Sequence, residues 1–404
     1  MPPQARRVNT VRTERLIDFA RARLELLLEQ WARMAPRENR PWQVLHGPAW
    51  EAVEDTRASL VTQARFVHNY AQGWRLTGDA RWRELALSAV AGLLDHFPRT
   101  ATGLPVMTVR GDTGAVVDDL VYPYGAAFIL LALAHAHALE PRERFVREAE
   151  NCWRSLLALR DDHGGWAWQY DGNGKIVPGP RTHNPTMHLV EACLAWQKQD
   201  RRWRDRAAEL LAWAKAKLVH GGDEPFMPEY CDEQWRPWAF DDIHAGLSTG
   251  HQWEWTHLLI QCAVARVPGA DVMLALDLAN AGRRGMRGPD DLISRFKLDG
   301  TVVTNRQVFW DYCEASRGCL WLAAHASRPD YLTVLTGLLR GLESRCYDPV
   351  HRGYISFGTA EPATLPKGDI WRVDYHQIAL FADIIDLAPY LPPQFEGEFT
   401  PASG

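Results

Sequence analysis

Apolar residues recur at three- and four-residue spacing through most of the chain, the period of helices that bury a stripe. The pattern predicts twelve helices, over about 13–34, 58–77, 80–97, 123–139, 142–159, 185–199, 203–219, 251–265, 269–285, 307–325, 329–345 and 374–388. Gly, Pro and Asp close most of them. In Leu76-Thr77-Gly78-Asp79-Ala80, Gly78 is placed to end one helix and Asp79 to cap the next.

The connections alternate in length. Short ones, such as Gly78-Asp79, Glu140-Pro141 and Ser327–Pro329, alternate with long ones such as Thr102–Val117, His163–Pro180 and Pro289–Thr304. The long ones carry Asp171-Gly172-Asn173-Gly174 and Asp299-Gly300, which are hairpin signals. The repeating unit is therefore helix, short turn, helix, long loop, recurring roughly every sixty residues. Six such pairs close into an all-α (α/α)6 barrel, one domain spanning 1–404. Its long hairpin-containing loops gather at the end where an active site belongs. An open solenoid is the alternative, but solenoid repeats are shorter and more alike.

Composition narrows the function. The chain has 404 residues, 46% apolar and 24% charged, with 45 basic and 50 acidic residues and a net charge of −5. No dense Lys/Arg run appears, which excludes a nucleic-acid binder. The longest largely apolar stretch, Ala126–Leu139, is too short to span a bilayer, so no membrane association is expected. Seven cysteines without CxxC spacing read as buried thiols in a reducing, cytoplasmic setting. The N-terminal MPPQARRVNTVRTERL is basic but lacks the apolar region of a signal peptide. Eighteen tryptophans suggest walls for a ring-shaped ligand such as a sugar.

Each helix that follows a long loop begins with polar and aromatic residues. These are Arg65 and Phe66; Tyr122 and Tyr124; Asn184, His188 and Glu191; His251 and Glu254; Trp310 and Glu314; Tyr375 and His376. On six inner helices their first turns would face one cavity. His188/Glu191 and His251/Glu254 are both His-x-x-Glu pairs, each on one helix face. Such pairs either ligate a transition metal or bond to ligand hydroxyls, and the second reading is preferred. His251 and His376 are candidate acid/base groups near neutral pH. Arg65, on an otherwise apolar face, is paired or binds an oxygen-rich ligand. Trp310 and Glu314, four residues apart, could together hold a sugar face and its hydroxyls. Gly246-Leu247-Ser248-Thr249-Gly250 matches GxSxG but lacks the buried strand a nucleophile elbow needs.

The ordered set Thr62-Gln63-Ala64-Arg65-Phe66, Asn184-x-x-Met187-His188-x-x-Glu191-Ala192, Gly250-His251-x-x-Glu254, Phe309-Trp310-x-x-x-Glu314 and Asp374-Tyr375-His376 resembles the N-acylglucosamine 2-epimerase superfamily. The segments Arg65-Phe66-Val67-His68-Asn69-Tyr70 and Tyr124-Gly125-Ala126-Ala127-Phe128 look most like its mannose isomerases. The resemblance implies an (α/α)6 barrel and a sugar isomerase with no required metal and no cofactor. It implies His376 as the base at the sugar C2, His251 as its partner, and Arg65, His188, Glu254 and Glu314 as holders of substrate oxygens. Tyr124, Asn184, Glu191 and Trp310 complete the expected substrate site. The expected partner is a monosaccharide, and the expected state a monomer or homodimer. The rivals are a sugar 2-epimerase, an (α/α)6 glycoside hydrolase using a carboxylate pair, and a sugar-binding protein without turnover.

Overall fold

The architecture is taken from a computed structural model that describes residues 11–36, 40–241, 244–359 and 361–391. The N-terminal decapeptide, part of the segment read above for a signal peptide, lies outside the described residues. Twelve α-helices occur among those described: α1 (Val11–Ala32), α2 (Leu60–Thr77), α3 (Ala80–His96), α4 (Pro123–Leu139), α5 (Glu143–Ala158), α6 (Asn184–Trp196), α7 (Arg202–Lys217), α8 (Thr249–Val264), α9 (Val272–Arg283), α10 (Phe309–His325), α11 (Tyr331–Cys346) and α12 (Tyr375–Leu387). Each falls on one predicted segment.

Sequence pattern decides which helices go inside. In α4, with Phe128-Ile129-Leu130-Leu131-Ala132-Leu133, nearly every side chain is buried, as an inner helix requires. In α5 only Phe145, Ala149, Cys152, Trp153 and Leu156 are buried, a single stripe at helical spacing. The even-numbered helices pack on one another in order, and α12 returns to α2 to close the ring. α3, α5, α7, α9 and α11 each back the inner helix they follow, whereas α1 packs on α12, so the sixth pair joins the two ends of the chain. The arrangement is the expected (α/α)6 barrel.

The turns behave as their residues dictate. Gly78 ends α2 at φ 72°, its N–H bonding to the Trp74 carbonyl. Asp79 caps α3 by accepting from the Arg81 N–H. At the opposite end the long loops are stitched into a second ring. Arg57–Ser59 pairs with Thr108–Arg110, Arg181–Thr182 with Tyr230–Cys231, and Leu247–Ser248 with Arg295–Phe296. Single bridges Val121–Tyr170, Val308–Phe357 and His46–Gly368 complete the remaining three junctions. Each inner helix thus starts from a backbone segment tied to a neighbouring loop, which fixes where its first turn points.

Half of the 18 tryptophans build the core rather than a ligand wall. Trp31, Trp42, Trp82, Trp166, Trp196, Trp203, Trp235, Trp253 and Trp255 are fully buried core residues. Trp196 stacks on Trp203 at 5.4 Å, joining an inner helix to its outer partner. All seven cysteines are buried free thiols. Among the described residues no helix is long and apolar enough to cross a membrane.

Candidate active site

The first turns of the inner helices converge as predicted. Arg65 on α2 is buried, donates to the Tyr124 hydroxyl at 2.8 Å and to the Trp371 carbonyl, and lies 4.4 Å over the Phe128 ring. Its described partners are neutral, so its charge is available to a ligand. The Tyr124 ring in turn meets His188 at 5.2 Å. Trp168 and Trp371, which pattern reading did not single out, meet Tyr122 and Tyr124 to form an aromatic wall.

The two His-x-x-Glu pairs are used differently. His188 bonds through Nδ1 to Glu191 at 2.9 Å. Burial opposes ionisation of Glu191, but the hydrogen bond and charge of His188 prevail and hold it down to about 2. Its other oxygen accepts from the Tyr375 hydroxyl. His251 does not bond to Glu254; its Nδ1 bonds at 2.6 Å to Glu229, a loop residue. Glu254 instead lies 3.8 Å from His188 Nε2, and its Oε2 has no protein partner. Burial first, then the nearby Glu314 and Glu191, push its pKa well above the usual carboxylate range. Burial and these two carboxylates thus bias Glu254 towards its protonated form.

His376 is placed by an unusual helix start. Asp374 precedes α12 in the left-handed conformation, φ 55°, a cost of about 1 kcal/mol or more for a non-glycine residue. Its carboxylate accepts from Trp31 Nε1 at 2.9 Å and Gln377 Nε2 at 3.0 Å, so α1 anchors the turn. His376 Nδ1 then bonds to Glu314 at 2.7 Å. Burial lowers the His376 pKa to about 4, leaving the ring neutral at pH 7. Glu314 also accepts from His257 Nε2 at 2.6 Å and from Arg317 at 3.0 Å. Burial opposes its charge, but Arg317 and the two imidazoles hold it well below the usual range. Trp310 and Glu314 do not form the joint sugar-binding face expected from their spacing. Glu314 is fully buried with both oxygens taken, while Trp310 lies between the imidazoles, 4.7 Å from His251 and 5.9 Å from His376. Gly250 permits this: a Cβ there would come within 2.2 Å of the Trp310 ring.

Asn184 opens the helix that carries His188, and its buried Oδ1 has no protein partner. Ser248 caps α8, accepting from the His251 N–H. Among the described residues two donor trios, His183/Glu229/His251 and Glu254/Glu314/His376, each lie within 4.8 Å and could hold a metal. Pattern reading missed Glu229, His183, His257 and Arg317. His257 and Arg317 lie three residues beyond Glu254 and Glu314 on the same faces, a usable signal. Glu229 and His183 lie in loops, where no periodicity marks them.

The (α/α)6 barrel thus gathers paired imidazoles, buried carboxylates and an unneutralised arginine at its loop end. The family model for N-acylglucosamine 2-epimerase (GlcNAc 2-epimerase) matches residues 49–378, and the chain belongs to that family. A mannose-6-phosphate isomerase of Rhizobium meliloti (strain 1021) is 29% identical over 70% of this chain and 73% of its own length. A D-mannose isomerase of Marinomonas mediterranea is 25% identical over 68% and 73%. Among solved structures, a D-mannose isomerase superposes with TM-score 0.80 at 19% identity, covering 91% of this chain and 97% of that one. Cellobiose 2-epimerase from Spirochaeta thermophila gives 0.82 at 20%, covering 93% and 97%. The protein is a sugar isomerase of this family.

Proposed function

We propose that the protein is a metal-independent aldose–ketose isomerase that interconverts D-mannose, or D-lyxose, with D-fructose or D-xylulose. The observation that carries this reading is the pair of imidazoles flanking Trp310, each tied through Nδ1 to a buried glutamate. Among the described residues none hydrogen-bonds to Nε2 of either ring, so each can exchange a proton with substrate. In the open-chain aldose, His376 Nε2 takes the C2 proton. The C2–H electron pair forms the C1–C2 double bond, and the carbonyl π pair moves to O1 as an enediolate. Arg65 and the neutral Glu254 stabilise that charge. The imidazolium returns its proton to C1, while the O2 proton passes to O1, leaving the ketone at C2. His251 opens the sugar ring as general acid/base. Asn184 Oδ1 and Arg65 Nε, both lacking protein partners, suit sugar hydroxyls, and Tyr124 and Trp310 form the walls. Glu191 and Glu314, expected to touch substrate, instead hold His188 and His376, because their oxygens are already bonded to protein groups.

Saturated hydrogen bonding of Glu314 disfavours a glycoside hydrolase, since it has no oxygen free to act beside Glu254. The protein is read as one barrel domain, monomeric or homodimeric. Its unpaired thiols fit a cytoplasmic setting.

Incubation in deuterated buffer with mannose, lyxose, glucose, N-acetylglucosamine and mannose 6-phosphate tests the reading. Ketose from mannose or lyxose, with deuterium at C1, is expected. A 2-epimer as main product would make the enzyme an epimerase; conversion of only the phosphorylated sugar would move the substrate. No product from any of them would sink the proposal.

A further inference from the structure

A second carboxylate relay, built from the loops, stands behind His251. The antiparallel pairing of Arg181–Thr182 with Tyr230–Cys231 sets Thr182 opposite Tyr230, so the next residues in register are His183 and Glu229. His183 Nε2 lies 3.5 Å from Glu229 and is completely buried. Trp255 Nε1, a donor only, points at His183 Nδ1 at 3.0 Å. His183 must therefore accept on Nδ1 and carry its proton on Nε2, which lies 3.5 Å from the carboxylate, near enough for electrostatic attraction but outside hydrogen-bond geometry. With that proton on one side, Glu229 accepts from His251 Nδ1 on the other. The two imidazoles hold Glu229 well below the usual carboxylate range despite its burial.

We infer that Glu229, locked by His183 and Trp255, is a positioning residue that fixes His251 as its Nδ1–H tautomer and turns Nε2 to the substrate. An ionised carboxylate can only accept, so it excludes the opposite tautomer, which would offer Nδ1 as a bare lone pair. Glutamine in its place can present its NH2 to Nδ1 and invert the assignment at nearly unchanged volume. The inference rests on the isomerase reading for its kinetic consequence but not for its tautomer.

The test combines kinetics with nitrogen NMR of [15N]histidine-labelled full-length protein, wild type, Glu229→Gln, Glu229→Asp and Trp255→Phe, with His251→Asn to assign the signal. Wild type should show a low-field Nδ1–H resonance for His251 in the absence of substrate, lost or moved in Glu229→Gln. In Glu229→Gln, kcat should fall on the order of 10³–10⁴-fold with KM within about threefold, as when a catalytic imidazole takes the wrong tautomer, a loss of about 10⁴-fold. Glu229→Asp should recover part of kcat, and Trp255→Phe should lose about three- to tenfold. A His251 protonated on Nε2 in wild type, or a Glu229→Gln protein with unchanged tautomer, overturns the inference whatever the activity. Absence of turnover in wild type would sink the isomerase reading alone, because the resonance is read on free protein. Thermal unfolding of each variant separates a collapsed site from a mis-set one.

Discussion

His251 and His376 are supported by parallel devices in different surroundings. Behind His376 run Gln261, His257 and Glu314, all on inner helices, with Gln261 Nε2 bonding to His257 Nδ1 at 2.9 Å. Behind His251 run Trp255, His183 and Glu229, of which the last two come from loops. Glu314 has Arg317 beside it, itself tied to Asp383 at 2.8 Å. Glu229 is held by imidazoles alone in its described contacts. One arm is a network rooted in helices whose carboxylate is paired with an arginine; the other depends on a two-residue ladder between loops. The comparison teaches that similar proton chemistry can be positioned by core packing on one side and loop pairing on the other.

The bluntest way to break the comparison is to remove each ring. His376→Asn and His251→Asn should each lower kcat by at least about 10³-fold. If only His376→Asn did so, the two arms would not be equivalent partners in the chemistry. Next in size is stability. Glu314→Gln leaves Arg317 with Asp383 as its one bonded anion and should cost about 3 kcal/mol in denaturant unfolding, whereas Glu229→Gln should cost about 1–2. Equal losses would show that Arg317 adds nothing to the helical arm.

The pH dependence sharpens the same contrast. A buried His376 whose pKa lies at about 4, below its unfolded value, binds fewer protons when folded. His376 should therefore contribute a loss of about 3 kcal/mol as pH drops from about 6.5 to 4, and His376→Gln should lessen the fall across that window by about that much, the other buried histidines with lowered pKa keeping the rest. Glu191, held down to about 2, acts lower: its contribution is present above about pH 4.5 and is lost as pH falls through 2. Glu254 runs the opposite way. Its raised pKa favours the fold at low pH and costs stability as pH rises above about 4.5. Glu254→Gln, already neutral, should fold as well as wild type or slightly better near pH 8, while kcat drops about 10- to 100-fold. A clear loss of stability in that variant would show that Glu254 is ionised in the native protein.

Much of the barrel was legible in the chain itself. Inner and outer helices differ in whether one stripe or the whole surface is apolar, as α4 and α5 show, and a local period suffices to read that difference. Gly78 and Asp79 mark their turn because backbone conformation and capping are local. Arg65, His188, His251, Glu254 and His376 stood out as polar groups on otherwise apolar faces. What periodicity could not assign was the partner of each. Identical His-x-x-Glu spacing yields a bonded pair at His188/Glu191 but not at His251/Glu254, because a carboxylate is claimed by whichever donor tertiary packing brings within about 3 Å. The surplus of tryptophan divides between core and site for a related reason: composition counts rings but does not say whether they face a ligand or another helix.

The chain by itself determined the helices, their order, the alternation of short turns with long loops, and the helix-borne groups bound for the barrel mouth. All of these follow from near-neighbour forces and from which face of each helix avoids water. Only the tertiary structure decided that α1 packs on α12 to complete the sixth pair, that Glu229 and His183 meet across a loop ladder, and that burial and two neighbouring carboxylates raise the pKa of Glu254. Those outcomes depend on groups distant in sequence and on burial, and an electrostatic interaction acquires its sign and strength only once water has been excluded around it.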